Sequence, residues 1–243
     1  MSGGVGSISS DMNPAEENYS QKNNTQLPRK QIPTKNRFLS LRQLKCLAII
    51  IVLAASGLVS LEDFAFVVFS LFYAFFLSKF AFPSLPLASE EPPIFSRNNK
   101  ILRIYITVAA ITGLYLPIAY IFEGIYEGDK EGIKAAAPHL FLLASQVFME
   151  GVFFNPRFGI PVRAFIPVFY NSRRIFEIID WLRREMMITV GSDGERRGSE
   201  RRLLVGKFLA VANLVLWCYN LFGFLLPVYL PKALKTYYSK AKD

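Results

Sequence analysis

The sequence contains very little cysteine, histidine or tryptophan. Its 243 residues include two cysteines, Cys46 and Cys218, one histidine, His139, and two tryptophans. Two cysteines in separate apolar stretches, with no C-x-x-C pair, do not predict a disulfide framework. A single histidine does not predict a histidine-based metal centre, because such centres draw on several imidazoles. We therefore expect no metal site and no bound cofactor.

The sequence also lacks the patterns that predict catalysis. It has no glycine-rich phosphate loop in a strand-to-helix context, no nucleophile elbow and no metal-binding helix signature. A membrane-embedded lipid enzyme would need clustered histidines and acids or a nucleophile beside a base, and neither is present. We therefore expect that the protein is not an enzyme.

Charged residues are scarce inside five long apolar runs. The hydrophobic fraction is 52% and the mean hydropathy is +0.28. Each run is roughly long enough to cross a bilayer core of about 30 Å. The sequence therefore predicts an all-α integral membrane protein with about five transmembrane helices and the lipid bilayer as its partner. The predicted spans lie near 44–61, 64–82, 101–122, 138–154 and 203–230, within a helical domain covering residues 37–236.

The net charge of +9 is concentrated between the apolar runs. The segment Arg29–Lys45 is purely basic and is expected to hold the amino terminus in the cytosol, whereas the acidic segment Glu123–Ala137 is expected on the far side. This pattern is typical of membrane topology and not of nucleic-acid binding. Five crossings would separate the two termini, yet the basic tail 237–243 would prefer the cytosol, so the side of the carboxyl terminus stays open.

Polar, low-complexity sequence precedes and interrupts the apolar runs. Residues 1–36 are rich in Ser, Gly, Asn, Gln and Pro and are expected to be a disordered cytosolic leader. Residues 191–202 are expected to be a charged linker. The final Lys-Ala-Lys-Asp is similar to an endoplasmic-reticulum retrieval signal, although it is offset by one position. It favours an endomembrane such as the endoplasmic reticulum, with the plastid or plasma membrane as alternatives.

The segment between the fourth and fifth runs has an unusual pattern. Phe158–Tyr170 is apolar but contains Pro161, Arg163 and Pro167, and its thirteen residues would rise only about 20 Å as a helix. We expect it to be a short re-entrant or surface segment. Asn171–Met187 then predicts a basic amphipathic helix at the membrane interface, although a helix packed on protein is the alternative. Its candidate contacts with anionic lipid headgroups are Arg173, Arg174, Arg183 and Arg184.

Polar residues within the fourth run form a stripe. His139, Gln146 and Glu150 fall within roughly 40° of one another on a helix. Intramembrane ionisable residues usually face the bundle interior, so the stripe is a candidate ion path with Arg157 and Arg163 as candidate ion-pair partners for Glu150. The alternative is structural, because such side chains often join membrane helices by hydrogen bonds.

Small residues spaced four apart predict close helix approach. They are Ala109 with Gly113 and Gly206 with Ala210.

Part of the sequence resembles a known family. The stretch from Pro138 to Val152 reads PHLFLLASQVFMEGV, and it is followed by IPVRAFIPVFYNSRRIF from Ile160 to Phe176 and by DWLR from Asp180 to Arg183. These stretches resemble a family of plant multi-pass membrane proteins of unknown function. The resemblance implies a green-plant source and a membrane location, and it supplies no activity or site residues.

Two functions are compatible with this sequence. The first is a non-enzymatic membrane scaffold or organiser, which the short hairpin between the first two runs, the interfacial helix and the basic flanks favour. The alternative is a small transporter or channel subunit that uses the polar stripe on the fourth run. The sequence identifies neither a protein partner nor an oligomeric state.

Overall fold

The structure is a computed structural model that describes residues 40–84, 100–155, 157–187 and 199–240. All regular secondary structure in these residues is helical. The predicted leader, most of the predicted linker and the last residues of the basic tail lie outside the described residues. The helices belong to one compact unit, Phe38–Asp243.

Eight α-helices and three wider π-helical segments make up the described chain. A π-helical segment continues α2 over Leu77–Ala81, another joins α3 to α4 over Ile111–Tyr115, and the third joins α7 to α8 over Tyr219–Tyr229. The helices are α1 Leu41–Ala55, α2 Leu61–Phe76, α3 Lys100–Ala110, α4 Leu116–Glu127, α5 Lys130–Phe153, α6 Ile160–Met187, α7 Glu200–Cys218 and α8 Leu230–Lys240.

Among the described residues, four continuous helical stretches are long and apolar enough to cross a membrane. They are Leu61–Ala81, Lys100–Glu127, Lys130–Phe153 and Glu200–Lys240. These stretches contain most of the second to fifth predicted runs. The helix that contains most of the first predicted run, 44–61, is shorter than expected. This helix, α1, has 15 residues and rises only about 22 Å. It stops before Gly57, whose φ of 69° lies in the left-handed region that glycine favours.

Helix α6 corrects the prediction of a short segment followed by a separate interfacial helix. The two stretches form one helix of 28 residues, about 42 Å long. Pro161 causes no break because it lies in the first turn, where a helix does not need its N–H group. Arg163 donates to the carbonyls of Phe158 and Asn155, so it binds the chain that enters the helix. Since α6 packs against α5, α7 and α8, it is central to the bundle.

Contacts between chain segments define two ends of the bundle. At one end, Gln43 of α1 packs on Gly151 of α5, and Tyr237 of α8 donates to the Pro83 carbonyl. At the other end, the Ser199 N–H donates to Glu127, which is 3.0 Å away. Residues near Ser199 and residues near Gly132 therefore lie at the same end. The five predicted crossings place Glu123–Ala137 and the linker 191–202 on opposite sides of the membrane. This prediction is wrong for this structure, because α6 carries the chain from one end of the bundle to the other.

The two ends differ in charge. We call them the basic end and the acidic end. Glu150 is the one acid among the described residues at the basic end. The basic residues there are Arg42, Lys45, Lys79, Lys100, Arg103, Arg157, Arg163, Lys232, Lys235 and Lys240. The acids at the other end are Glu62, Asp63, Glu123, Glu127, Asp129, Glu131, Glu177, Asp180, Glu185 and Glu200, and the basic residues there are Lys130, Lys134, Arg173, Arg183, Arg184, Arg201, Arg202 and Lys207.

The outer surface is apolar while several charged side chains are buried. Phe72 is 68% exposed and Phe208 is 74% exposed, whereas Arg174, Glu185 and Arg202 are almost completely buried. A water-soluble protein rarely exposes large aromatic side chains in this number. The distribution is the one expected for helices whose outer faces contact lipid.

Candidate functional site

Arg174 of α6 lies at the centre of a buried polar core. Its guanidinium carbon is 3.9 Å from the centroid of the Trp217 ring. Its Nη2 donates to the side-chain carbonyl of Gln146 and, at 3.3 Å, to that of Asn171. Its Nε and Nη1 have no hydrogen-bond partner among the described residues. An aromatic face and amide oxygens therefore hold this cation.

Gln146 connects Arg174 to Glu150. Its carbonyl accepts from Arg174, and its amide donates to a Glu150 carboxylate oxygen 2.7 Å away. The structure thus brings two members of the predicted stripe into one hydrogen-bond network. The cations that act electrostatically on Glu150 include Arg42 of α1 and Arg174. The sequence analysis did not associate Arg174 with this stripe, because it was assigned to a surface helix.

Of the candidate partners, Arg157 lies in the turn between α5 and α6, and Arg163 lies in the first turn of α6, near the basic end. The backbone N–H of Arg157 donates to the Asn155 side chain at 3.1 Å. Arg163 donates to backbone carbonyls at 3.0 and 3.1 Å. These contacts stabilise the turn that connects α5 to α6.

His139, the third member of the stripe, has different partners. Its Nε2 lies 2.9 Å from the Gly113 carbonyl, and because a carbonyl can only accept, Nε2 carries the proton. The ring lies 6.2 Å from the ring of Trp181 and 6.4 Å from that of Trp217. Gly113 permits this packing, since a Cβ there would lie 2.6 Å from the Trp217 ring. His139 therefore joins α5 to the segment between α3 and α4.

Asparagines complete the polar core. Asn213 donates to the carbonyls of Thr112 and Leu209 at 3.0 and 2.9 Å and accepts from Trp217 at 3.1 Å. Asn171 donates to the Trp217 carbonyl at 3.1 Å. Tyr105 of α3 donates to Asn220, 2.8 Å away. The bonds of Asn213 to Thr112, of Asn171 to Trp217 and of Tyr105 to Asn220 join different helical segments, as polar side chains commonly do in membrane bundles.

A second cluster, the Arg202 cluster, lies at the acidic end. Arg202 Nε donates to Asp129 at 2.7 Å, Nη1 donates to the Tyr120 carbonyl at 2.7 Å, and the guanidinium lies 3.9 Å from the Tyr120 ring centroid. The Tyr120 hydroxyl donates to Glu185, 2.7 Å away. The cluster joins α4, α6 and α7 to the start of α5, where Asp129 also caps the helix through the Gly132 N–H. The sequence analysis missed it because Arg202 was assigned to a linker.

Arg173 binds three carboxylates where α2 begins. Its Nη2 lies 2.9 Å from Asp63, 2.9 Å from Glu177 and 3.6 Å from Glu62. One positive charge cannot neutralise three carboxylates. These contacts join the start of α2 to the middle of α6.

The predicted headgroup contacts have different surroundings. Arg183 and Arg184 are exposed, and Arg183 lies 3.3 Å from Asp180. Arg173 is partly exposed but is bound by the three carboxylates. Arg174 is fully buried, which corrects its assignment to the lipid interface. A helical surface pattern cannot distinguish a charged face that meets water from one that meets another helix.

The comparisons with known proteins concern the family of the chain. Residues 39–238 match DUF7733, a domain of unknown function. The search of curated proteins and the search of solved structures found no match. The matched region covers the four candidate spans, the polar core and the Arg202 cluster. Because the match covers most of the sequence, the chain belongs to the DUF7733 family, whose function is unknown.

Proposed function

We propose that this chain is a multi-pass integral membrane protein that serves as a non-enzymatic scaffold or organiser. The observation that carries the proposal is the use of interior polar side chains as ties between helices. Gln146, His139, Asn171 and Asn213 each form a hydrogen bond to a different helical segment. Such ties stabilise one fixed arrangement of helices, which is what a scaffold requires.

The outer surface supports embedding in a bilayer. Phe72 of α2 and Phe208 of α7 are largely exposed to the surroundings of the bundle. In water these side chains would cost free energy, while in lipid they are in a favourable solvent. Buried Arg174 and Arg202 follow the complementary rule that charged groups in membrane helices face the bundle interior.

The charge difference between the ends supports an orientation. The basic residues that flank the first span, including Arg42 and Lys45, lie at the basic end, and the positive-inside rule favours the cytosol for such a flank. Both Ser40 and Tyr238 lie at that end, which removes the conflict between the basic tail and a count of five crossings.

A green-plant source and an endomembrane location remain part of the proposal, supported by the resemblance of Pro138–Arg183 and by the Lys-Ala-Lys-Asp end.

A small transporter or channel subunit is the second candidate function. Arg174 Nε and Nη1 are fully buried without a hydrogen-bond partner among the described residues, beside the Gln146–Glu150 pair. A fixed positive charge with vacant donors can attract an anion, and the adjacent carboxylate can exchange a proton. This candidate predicts an ion or proton flux that depends on Glu150.

The two candidates are separated by a paired experiment on the full chain. For the scaffold, a photo-crosslinking amino acid replaces exposed Phe72 in native membranes, and fully buried Phe141 is the matched control position. A scaffold gives a discrete protein adduct from position 72 and none from position 141. For the transporter, wild-type protein and Glu150→Gln are compared in proteoliposomes. Lipid adducts alone at position 72, together with a flux that Glu150→Gln abolishes, would overturn the scaffold proposal in favour of transport.

A further inference from the structure

A large apolar groove lies between α1, α4 and α5. Its volume is about 780 Å³, which is within the range of small-molecule sites. Apolar side chains from all three helices form its wall, and polar side chains are few. The wall includes Ile49, Val52, Ile118, Phe122, Ile133 and Leu140.

The few polar groups of this groove gather at one end. Ser56 and Gly57 follow α1, while Lys130, Glu131 and Lys134 belong to the first turns of α5. Because Gln43 packs on Gly151, α1 and α5 are antiparallel, and the last turn of α1 therefore lies beside the first turns of α5. The groove is thus amphipathic along its length, with an apolar floor and a charged mouth.

We propose that this groove binds one anionic phospholipid, with an acyl chain along the apolar wall and the phosphodiester at Lys130 and Lys134. The proposal rests on the membrane embedding described above but not on the scaffold role. A groove that faces a bilayer is filled by acyl chains, because the side chains that line an empty groove would lose van der Waals contacts. The apolar wall would bind the acyl chain, and the two lysines would bind the negatively charged phosphodiester of the headgroup.

The position of the two lysines favours a negatively charged headgroup. Lys130 and Lys134 are both exposed, and they are four residues apart, so their side chains are neighbours on one face of α5. Two ammonium groups can donate to the oxygens of one phosphate. Glu131 is the acid at the mouth, and it lies about 100° around the helix from Lys130. The mouth therefore has an excess of positive charge that a zwitterionic lipid does not match.

The test measures phospholipid retained by the purified full chain. The protein is equilibrated in nanodiscs of phosphatidylcholine containing phosphatidylglycerol, transferred to mild detergent and analysed by native mass spectrometry. Wild type is expected to retain one phosphatidylglycerol. Lys130→Gln/Lys134→Gln is expected to weaken retention by roughly tenfold, because each lysine near a surface contributes to anionic-lipid affinity. Lys45→Gln/Lys235→Gln removes the same charge at the basic end and should retain the lipid.

A second variant tests the apolar part of the groove. Ala48 is exposed and lines the wall, so Ala48→Phe should occupy the acyl-chain space and abolish retention without changing the charge. Circular dichroism and the melting temperature establish that each variant is folded. If the lysine variant does not fold, salt replaces it, because screening should weaken retention by wild type.

Several outcomes would overturn the lipid site. They are equal retention by wild type and Lys130→Gln/Lys134→Gln, retention of phosphatidylcholine in place of phosphatidylglycerol, retention of a free fatty acid, and retention insensitive to salt. Failure of membrane embedding is detected separately, as extraction of the protein by alkaline carbonate. Failure of the scaffold role appears only in the cross-linking and flux experiments. The three failures are therefore distinguishable.

Discussion

The guanidinium of Arg174 lies over the face of Trp217, 3.9 Å from the ring centroid. This contact joins α6 to α7 at the level where Gln146 joins α6 to α5. Within the described residues no carboxylate lies within salt-bridge distance of Arg174, so the aromatic face and the amide oxygens compensate for its lost hydration. Cation–π attraction is strongest for tryptophan and increases when the pair is shielded from water.

Arg174→Ala should be destabilising. Removing this side chain eliminates the cation–π contact with Trp217 and leaves the Gln146 carbonyl without a donor, for a loss of about 1–3 kcal/mol in the free energy of unfolding. Unfolding of the purified full chain in a graded detergent series measures the loss. Arg183→Ala, at an exposed site, should change stability by less than about 1 kcal/mol.

The combination of Arg174→Ala with Glu150→Gln should be less destabilising than the sum of the single changes. The two residues share Gln146 as a hydrogen-bond partner, and coupled residues typically deviate from additivity by about 0.5–3 kcal/mol. A double-mutant cycle measures this coupling. Additive losses would show that Glu150 does not act together with Arg174.

Gly113→Ala should destabilise the bundle by about 1–3 kcal/mol. The added methyl group would lie 2.6 Å from the Trp217 ring and would displace the ring from Arg174 and from Asn213. Tryptophan fluorescence and thermal unfolding report this change. Gly57→Ala is the comparison, since nothing lies within 4 Å of its Cβ and only the positive φ opposes it. A shifted emission spectrum is expected for Gly113→Ala alone.

Small-residue pairs show how far the sequence could predict the packing. The pair Ala109 and Gly113, and the pair Gly206 and Ala210, predicted close helix approach, and the structure confirms it at both glycines. Gly113 is packed on Trp217, while a Cβ at Gly206 would lie 2.6 Å from the Tyr120 hydroxyl. The sequence could not predict which helix each glycine meets, because composition does not specify the order of helices in a bundle.

Tyr120→Phe should lower stability by about 1–3 kcal/mol. The variant removes the hydroxyl that donates to Glu185, so a fully buried carboxylate loses a donor while the ring that stacks with Arg202 is kept. Thermal unfolding measures the effect. Tyr126→Phe is the matched control, since Tyr126 is 92% exposed. Equal melting temperatures for wild type and Tyr120→Phe would contradict the account of the Arg202 cluster.

Helix α6 shows why part of the candidate site could not be predicted from the sequence. Its apolar residues recur at helical spacing, and this spacing correctly predicted a helix through Ile175, Ile178 and Leu182. Arg173 and Arg174 are adjacent and chemically identical, yet one binds carboxylates near the surface and the other is fully buried. Whether a polar face meets water or polar residues of another helix depends on the neighbours.

The most direct measurement of the central claim is cysteine accessibility in sealed vesicles. Cys46 and Cys218 are replaced, and single cysteines are introduced at exposed Ser40, Ser239, Glu131 and Glu200. A membrane-impermeant reagent should label positions 40 and 239 from one side of the membrane and positions 131 and 200 from the other. Labelling of positions 131 and 200 from opposite sides, or of all four from the same side, would contradict a membrane bundle with both termini at its basic end.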